Sequence, residues 1–157
     1  MDVHFSVLKK ALQIYISGIN NSIGLEANCF LVNTHIIITG NNNTILFKSG
    51  VVVSENAKFY IEESNADITI GEKTTIGGAK FYKGESDTSI FIDYDCMLSS
   101  DIGMNTSDFH SIISLEDNLR INPPKSIKIN NNVWIGNGVY ITKGSVIGSN
   151  SVVAARA

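Results

Sequence analysis

The sequence predicts an all-β, single-domain parallel β-helix, a tube of short strands wound into stacked coils. Three observations predict it. First, the 157 residues include 23 Ile and 11 Val against only 8 Leu and 8 Ala, with 17 Asn and 17 Ser. Stiff β-branched side chains suit pleated surfaces, and Asn and Ser suit turns, so a helical bundle or coiled coil is excluded. Second, the chain repeats itself every 22 or 23 residues. Third, its later part repeats every six. A chain of this length has enough core to fold as one domain.

From the N-terminus, Ile16-Ser17-Gly18-Ile19-Asn20-Asn21-Ser22-Ile23 returns as Ile38-Thr39-Gly40-Asn41-Asn42-Asn43-Thr44-Ile45, 22 residues on. A second register, Ile-x-Ile/Phe, falls at Ile45/Phe47, Ile68/Ile70, Ile90/Ile92 and Ile127/Ile129. The last step is longer, which predicts an inserted loop around residues 101–126. Residues 1–60 read as irregular longer coils, and 61–100 and 127–157 as coils built of six-residue repeats. In the latter, Ile129, Ile135, Ile141, Ile147 and Val153 are evenly spaced, and Ile70/Ile76 and Ile92/Leu98 keep the same step.

A six-residue step matches neither an α-helix nor an alternating hairpin. It is met by a short strand plus a tight turn, three of which make a triangular coil of about 18 residues. Each inward Ile then stacks on one in the next coil. Gly and Asn occupy corners that need positive φ, which places Asn41-Asn42-Asn43 and Asn130-Asn131-Asn132 at turns. A β-sandwich of short strands is the alternative, and the fixed spacing argues against it.

Composition excludes several classes. Net charge is −3 with 17% charged residues, so there is no electrostatic footprint for nucleic acid. No stretch reaches the roughly 18 apolar residues of a membrane span. Asp2 and His4 precede the first apolar run and Lys9 and Lys10 follow it, the wrong order for a secretory signal. Cys29 and Cys96 show no CxxC spacing and read as reduced, buried thiols of a cytoplasmic protein, with a disulfide as the alternative.

The segment from Val133 to Gly148, VWIGNGVYITKGSVIG, resembles the hexapeptide-repeat acyltransferases, left-handed β-helix enzymes that transfer acetyl from acetyl-CoA. The segment from Cys96 to Ile112, ending in TSDFHSI, is similar to the one that carries the active-site His in capsule and sialic-acid O-acetyltransferases. Arg120-Ile121-Asn122-Pro123-Pro124-Lys125-Ser126-Ile127 then leads into the VWIG coil, as in those enzymes. The similarity is close over about residues 90–153; residues 1–60 share only the repeat character. It implies a left-handed winding, against the general right-handed crossover rule. It also implies a homotrimer with active sites between neighbouring subunits, acetyl-CoA as co-substrate, and a glycan acceptor.

A thioester is already activated, so such an enzyme mainly needs a base for the sugar hydroxyl. A neutral imidazole suits this task. His110 lies in the insertion, off the six-residue register, and the resemblance makes it the catalytic residue; His4 and His35 read as structural or exposed. Asp108 could orient His110 if the loop folds back. Trp134, the only Trp, precedes inward-facing Ile135 and should face outward, where the resemblance places it beside the donor and the neighbouring subunit. Gly136, Lys143 and Arg156 are the cofactor-binding candidates for acetyl-CoA, with Lys125 also in range of its phosphates. Backbone N–H groups of Gly-rich turns are candidate oxyanion donors. Ser99 and Ser111 are weaker candidates for acceptor contact.

Cys96 lies near His110 in sequence, but its position two residues before Leu98 suggests packing rather than a covalent intermediate. One His in the repeat-rich half does not assemble a three-His zinc site, so no metal is expected. Val153-Ala154-Ala155-Arg156-Ala157 reads as the start of a further coil, and family members continue beyond such a point with a segment that helps to cover CoA. Two alternatives stay open: a non-catalytic β-helix module, and N-acetylation of an amino sugar.

Overall fold

The computed structural model describes residues 8–157, so His4 lies outside the described residues. The first coil is β1 (Leu8–Lys10), β2 (Gln13–Ser17) and β3 (Ser22–Leu25). The second is β4 (Phe30–Val32), β5 (His35–Thr39) and β6 (Thr44–Phe47). β7 (Val52–Val53), β8 (Lys58–Ile61) and β9 (Asp67–Ile70) make the third. β10 (Thr75–Ile76), β11 (Ala79–Lys83) and β12 (Ser89–Ile92) make the fourth. The fifth, β13 (Met97–Leu98), β14 (Ile102–Asn105) and β15 (Ile127–Ile129), carries a long excursion. β16 (Trp134–Ile135), β17 (Tyr140–Ile141) and β18 (Val146–Ile147) form the sixth, and β19 (Val152–Val153) opens another.

Every third strand pairs in parallel, giving three sheets: β1-β4-β7-β10-β13-β16-β19, β2-β5-β8-β11-β14-β17 and β3-β6-β9-β12-β15-β18. These are the three faces of a tube. The sequence repeat is the strand register itself: Ile23, Ile45, Ile68, Ile90 and Ile127 are successive partners across the third sheet.

The coils come in two lengths. Before the insertion they run 22 or 23 residues, as in the pairs Phe30↔Val52 and Val52↔Thr75. After it, Trp134 pairs with Val152, the expected 18-residue turn. The reason is strand length: β2, β5 and β11 on the second sheet have five residues, whereas β16, β17 and β18 have two each. The 18-residue expectation therefore holds only past Ile127, and residues 61–98 keep the longer coil. The insertion itself spans 106–126. Residues 102–105 belong to the tube, because Ile102 and Met104 point inward and are buried.

Inward rows fill the tube. Leu31, Val53, Ile76, Leu98 and Ile135 line the first sheet, and Phe47, Ile70, Ile92 and Ile129 the third. Phe59 stacks on Phe81 at 4.4 Å between ring centroids, and Phe47 meets Phe59 edge-on at 5.2 Å. Each such buried side chain contributes about 1.5–3 kcal/mol. Lys83 breaks the apolar row after Ile38 and Ile61; its buried ammonium donates to the carbonyls of Glu62 (3.4 Å) and Ser64 (3.2 Å). Burial pushes its pKa down.

Asn residues form the expected corners. Asn20, Asn42 and Asn65 have positive φ. Their side chains bond upward in a ladder, Asn20 to Asn42 (3.1 Å), Asn42 to Asn65 (3.3 Å) and Asn65 to Asp87 (2.9 Å). Gly40 has φ +110°, and a Cβ there would lie 1.9 Å from the Glu63 carbonyl oxygen. Cys29 and Cys96 are free and buried, as expected, and burial raises both thiol pKa values.

Candidate active site

The insertion leaves the tube at the corner between the second and third sheets. Its two ends are tied together, because the Lys125 N–H donates to the Thr106 carbonyl at 3.0 Å. Thr106 is buried and accepts from the Thr88 hydroxyl at 3.1 Å. Inside the loop a short hairpin closes through an antiparallel bridge between Ile113 and Arg120. The hairpin exposes five apolar side chains: Ile112, Ile113, Leu119 and Ile121 face solvent, and Leu115 is 98% exposed. A monomer gains nothing from such a surface.

His110 sits at the base of this hairpin and is exposed. Asn122 holds its backbone. The Asn122 amide donates to the His110 carbonyl (2.8 Å) and to the Asp108 carboxylate (2.9 Å). The Asn122 side-chain oxygen accepts from the Ile112 N–H (2.7 Å) and from Arg120 Nε (3.3 Å). One amide thus fixes both flanks of His110.

Two ion pairs anchor this assembly to the tube. From the coil below, Glu85 takes the Arg120 guanidinium through both carboxylate oxygens, one bond measuring 2.8 Å, and also accepts from the Ser107 hydroxyl. Arg120, then Ser107, hold the Glu85 carboxyl down to about 2. Ser107 in turn accepts from the Phe109 N–H at 2.9 Å. From the coil above, Lys143 pairs with Asp108 and donates to the carbonyls of Asn122 (3.0 Å) and Pro123 (3.1 Å). Lys143, then Asn122, lower the Asp108 pKa.

Asp108 and Lys143, which the sequence offers as an orienting and a cofactor-binding residue, are brought together in one ion pair. The Asp108 carboxylate is bound by Lys143 and Asn122, and it reaches His110 through the backbone rather than the ring. The Lys143 ammonium is held by the insertion, through Asp108 and the carbonyls of Asn122 and Pro123. Gly136 is buried, and a Cβ there would lie 2.6 Å from the Ala155 nitrogen, so its smallness serves coil packing. Arg156 is exposed at the corner after β19, its N–H bonded to the Asn137 carbonyl (2.8 Å), and among the described residues its guanidinium has no ion pair.

Trp134 faces outward from the first sheet, 53% exposed, while Ile135 beside it is fully buried. With Met97 and Val152 it forms an apolar stripe along a cleft of about 440 Å³, edged by Asp95, Asn132 and Asn150. The first sheet is the face opposite the corner that carries the insertion. The fold thus keeps His110 and Trp134 of one chain on opposite sides of the tube.

The stretch 126–157 matches the family described as bacterial transferase hexapeptide (six repeats). A solved structure described as the polysialic acid O-acetyltransferase OatWY superposes with a TM-score of 0.74 at 30% identity, covering 96% of this chain and 70% of that one. The chain belongs to the hexapeptide-repeat acyltransferase family. The all-strand, three-sheet tube is the left-handed β-helix of that family. A second structure, the polySia-specific acetyltransferase NeuO, gives a TM-score of 0.56 at 26% identity over 92% of this chain and 80% of that one.

Curated relatives agree. The polysialic acid O-acetyltransferase of Neisseria meningitidis is 35% identical over 136 residues, 86% of this chain and 61% of that one. The protein of the same name from Escherichia coli O1:K1 / APEC is 32% identical over 88 residues, 54% of this chain and 28% of that one. The chain thus spans less than two thirds of either relative's length. The 126–157 match coincides with the 18-residue coils, the part in which the hexapeptide family pattern is undiluted by longer strands.

Sequence reasoning missed Glu85, Arg120 and Asn122 as site-building residues. The signal was partial: Arg120 and Asn122 lie in a quoted motif, but Glu85 is 35 residues from its partner and nothing local marks it.

Proposed function

We propose that this chain is an acetyl-CoA-dependent O-acetyltransferase acting on a sugar hydroxyl of an acidic cell-surface polysaccharide or its precursor, polysialic acid being the acceptor that its relatives' names suggest. The observation that carries the reading is the exposed His110, braced on both flanks by Asn122 and anchored to the tube through Glu85–Arg120 and Asp108–Lys143. A loop pinned at that many points holds a general base in position, where small displacements are costly to rate.

In this reaction the neutral His110 imidazole takes the proton as the sugar oxygen attacks the thioester carbonyl. The tetrahedral intermediate collapses, the carbon–sulfur bond breaks, and the departing thiolate recovers a proton from the imidazolium. Transfer is direct, with no acyl-enzyme; the buried Cys96 thiol, its pKa raised, is unsuited to attack. Backbone N–H groups of the coil corners supply the oxyanion donors. The apolar cleft along Trp134 takes the donor arm, and Arg156, exposed at the corner after β19, offers its guanidinium to the phosphates. With acetyl-CoA as donor, the reaction belongs in the cytoplasm.

Because His110 and Trp134 of one chain stand on opposite sides of the tube, a shared site needs two copies. A trimer supplies it at each seam, and burial of the exposed hairpin residues there explains their apolar character. The test is His110→Ala. Turnover should fall by about 10²–10⁴-fold, the usual contribution of a general base, while the thermal transition stays in place. A folded variant with near-normal turnover would remove His110 from this role.

A further inference from the structure

The second sheet presents two outward rows that neither the core nor the site above uses. Along one, His35, Lys58 and Lys80 are successive register partners; along the other, Ile37, Tyr60 and Tyr82. The rows are two residues apart on each strand, so they share the outer face. Lys58 and Lys80 are direct neighbours across one coil, and among the described residues neither has a carboxylate partner. Like charges placed opposite each other destabilise a sheet, and an anion between them removes the repulsion. Glu55 and Asp101 line the corner beside Lys80 and bound the row on that side.

The Tyr60 and Tyr82 rings stack at 4.9 Å and 3°, matching the rise of one coil. Each ring covers one face of the other on the outer side of the sheet, and among the described residues neither phenol has a hydrogen-bond partner. The upper end of this row runs into the insertion. Phe109 sits edge-on to Tyr82 at 6.5 Å, over Gly84, where any Cβ would lie 2.2 Å from the Phe109 ring. The next residue is His110.

The geometry points to an acceptor track: Lys58, Lys80, Tyr60 and Tyr82 bind the carboxylates and hydroxyls of an acidic polysaccharide on the second sheet and lead it past Phe109 to His110. Repeating cations and phenols at one coil spacing suit a polymer that repeats a carboxylate on each sugar. The inference rests on the activity proposed above, and names where the acceptor lies beyond the reacting sugar.

The test is equilibrium binding of a fluorescent polysialic acid oligomer without donor, with sedimentation as a check on assembly. Replacing both lysines, Lys58→Ala with Lys80→Ala, should weaken binding about tenfold and flatten its salt dependence. Tyr60→Phe with Tyr82→Phe, which keeps the ring stack, should weaken it about threefold. Lys128→Ala, which removes a charge from the exposed side of the third sheet, should leave binding unchanged. Three results overturn the track: wild-type affinity in the lysine double variant, an equal loss in Lys128→Ala, or a changed oligomeric state in the double variant, which would make this face a seam between copies. Binding with the expected losses, in a protein that transfers no acetyl, would uphold the track and refute the activity. Transfer to polysialic acid with binding indifferent to all four residues would do the reverse.

Discussion

Glu85 lies on the tube and anchors the insertion that carries His110. It grips Arg120, Arg120 reaches Asn122, and Asn122 holds the His110 carbonyl. Glu85→Gln keeps the shape and removes the charge, so turnover should fall about 10²-fold with little change in the thermal midpoint. Glu85→Asp should recover part of it. A loss confined to stability, with kcat intact, would contradict the positioning role. The same carboxylate sets an acid limit. Its pKa is lowered from 4.5 to about 2, so its contribution is full above 4.5 and is lost as pH falls from there toward 2. Asp108 is shifted in the same direction. Pepsin should therefore cut the 112–121 hairpin faster as pH is lowered to about 3, while far-UV circular dichroism of the tube persists. Glu85→Gln should remove most of that pH dependence.

At the scale of the coil, close backbone approach is the limiting constraint. Gly40 has φ +110° and lies beneath the Glu63 carbonyl. Gly40→Ala should cost about 2 kcal/mol or more, read as a lowered thermal midpoint, because neither the turn nor the next coil can yield independently. The coils were legible where repeat and register are the same thing: Ile45, Ile68, Ile90 and Ile127 are spaced in sequence as they are stacked in space. Two features were not. The longer early coils arise from four- and five-residue strands on two sheets, and a six-residue count takes no account of strand length. Lys83 occupies an apolar row, and the carbonyls that satisfy it come from the turn one coil away. His110 stood out because it breaks the register, whereas its brace, drawn from Glu85, Arg120, Asn122 and Lys143, exists only after winding brings distant residues together.

At the scale of the whole molecule, the three-sided tube decides how a site can form. An insertion on one corner and an apolar stripe on the opposite face stand apart within one chain, and the proposed seam brings them together from two chains arranged around an axis. In the proposed reaction acetyl passes to a sugar hydroxyl at such a seam, with His110 from one copy and Trp134 from another. Its most direct test is transfer of labelled acetyl from acetyl-CoA to polysialic acid by wild type, His110→Ala, Trp134→Ala and a co-assembled equal mixture of the two variants. Each variant alone should be nearly inactive. The mixture should regain about a quarter of wild-type transfer, because random assembly restores one intact His–Trp pairing at that share of seams. A mixture as inactive as its parts would show that one chain supplies both residues, and a folded wild type that labels no acceptor would contradict the acetyl-transfer assignment itself.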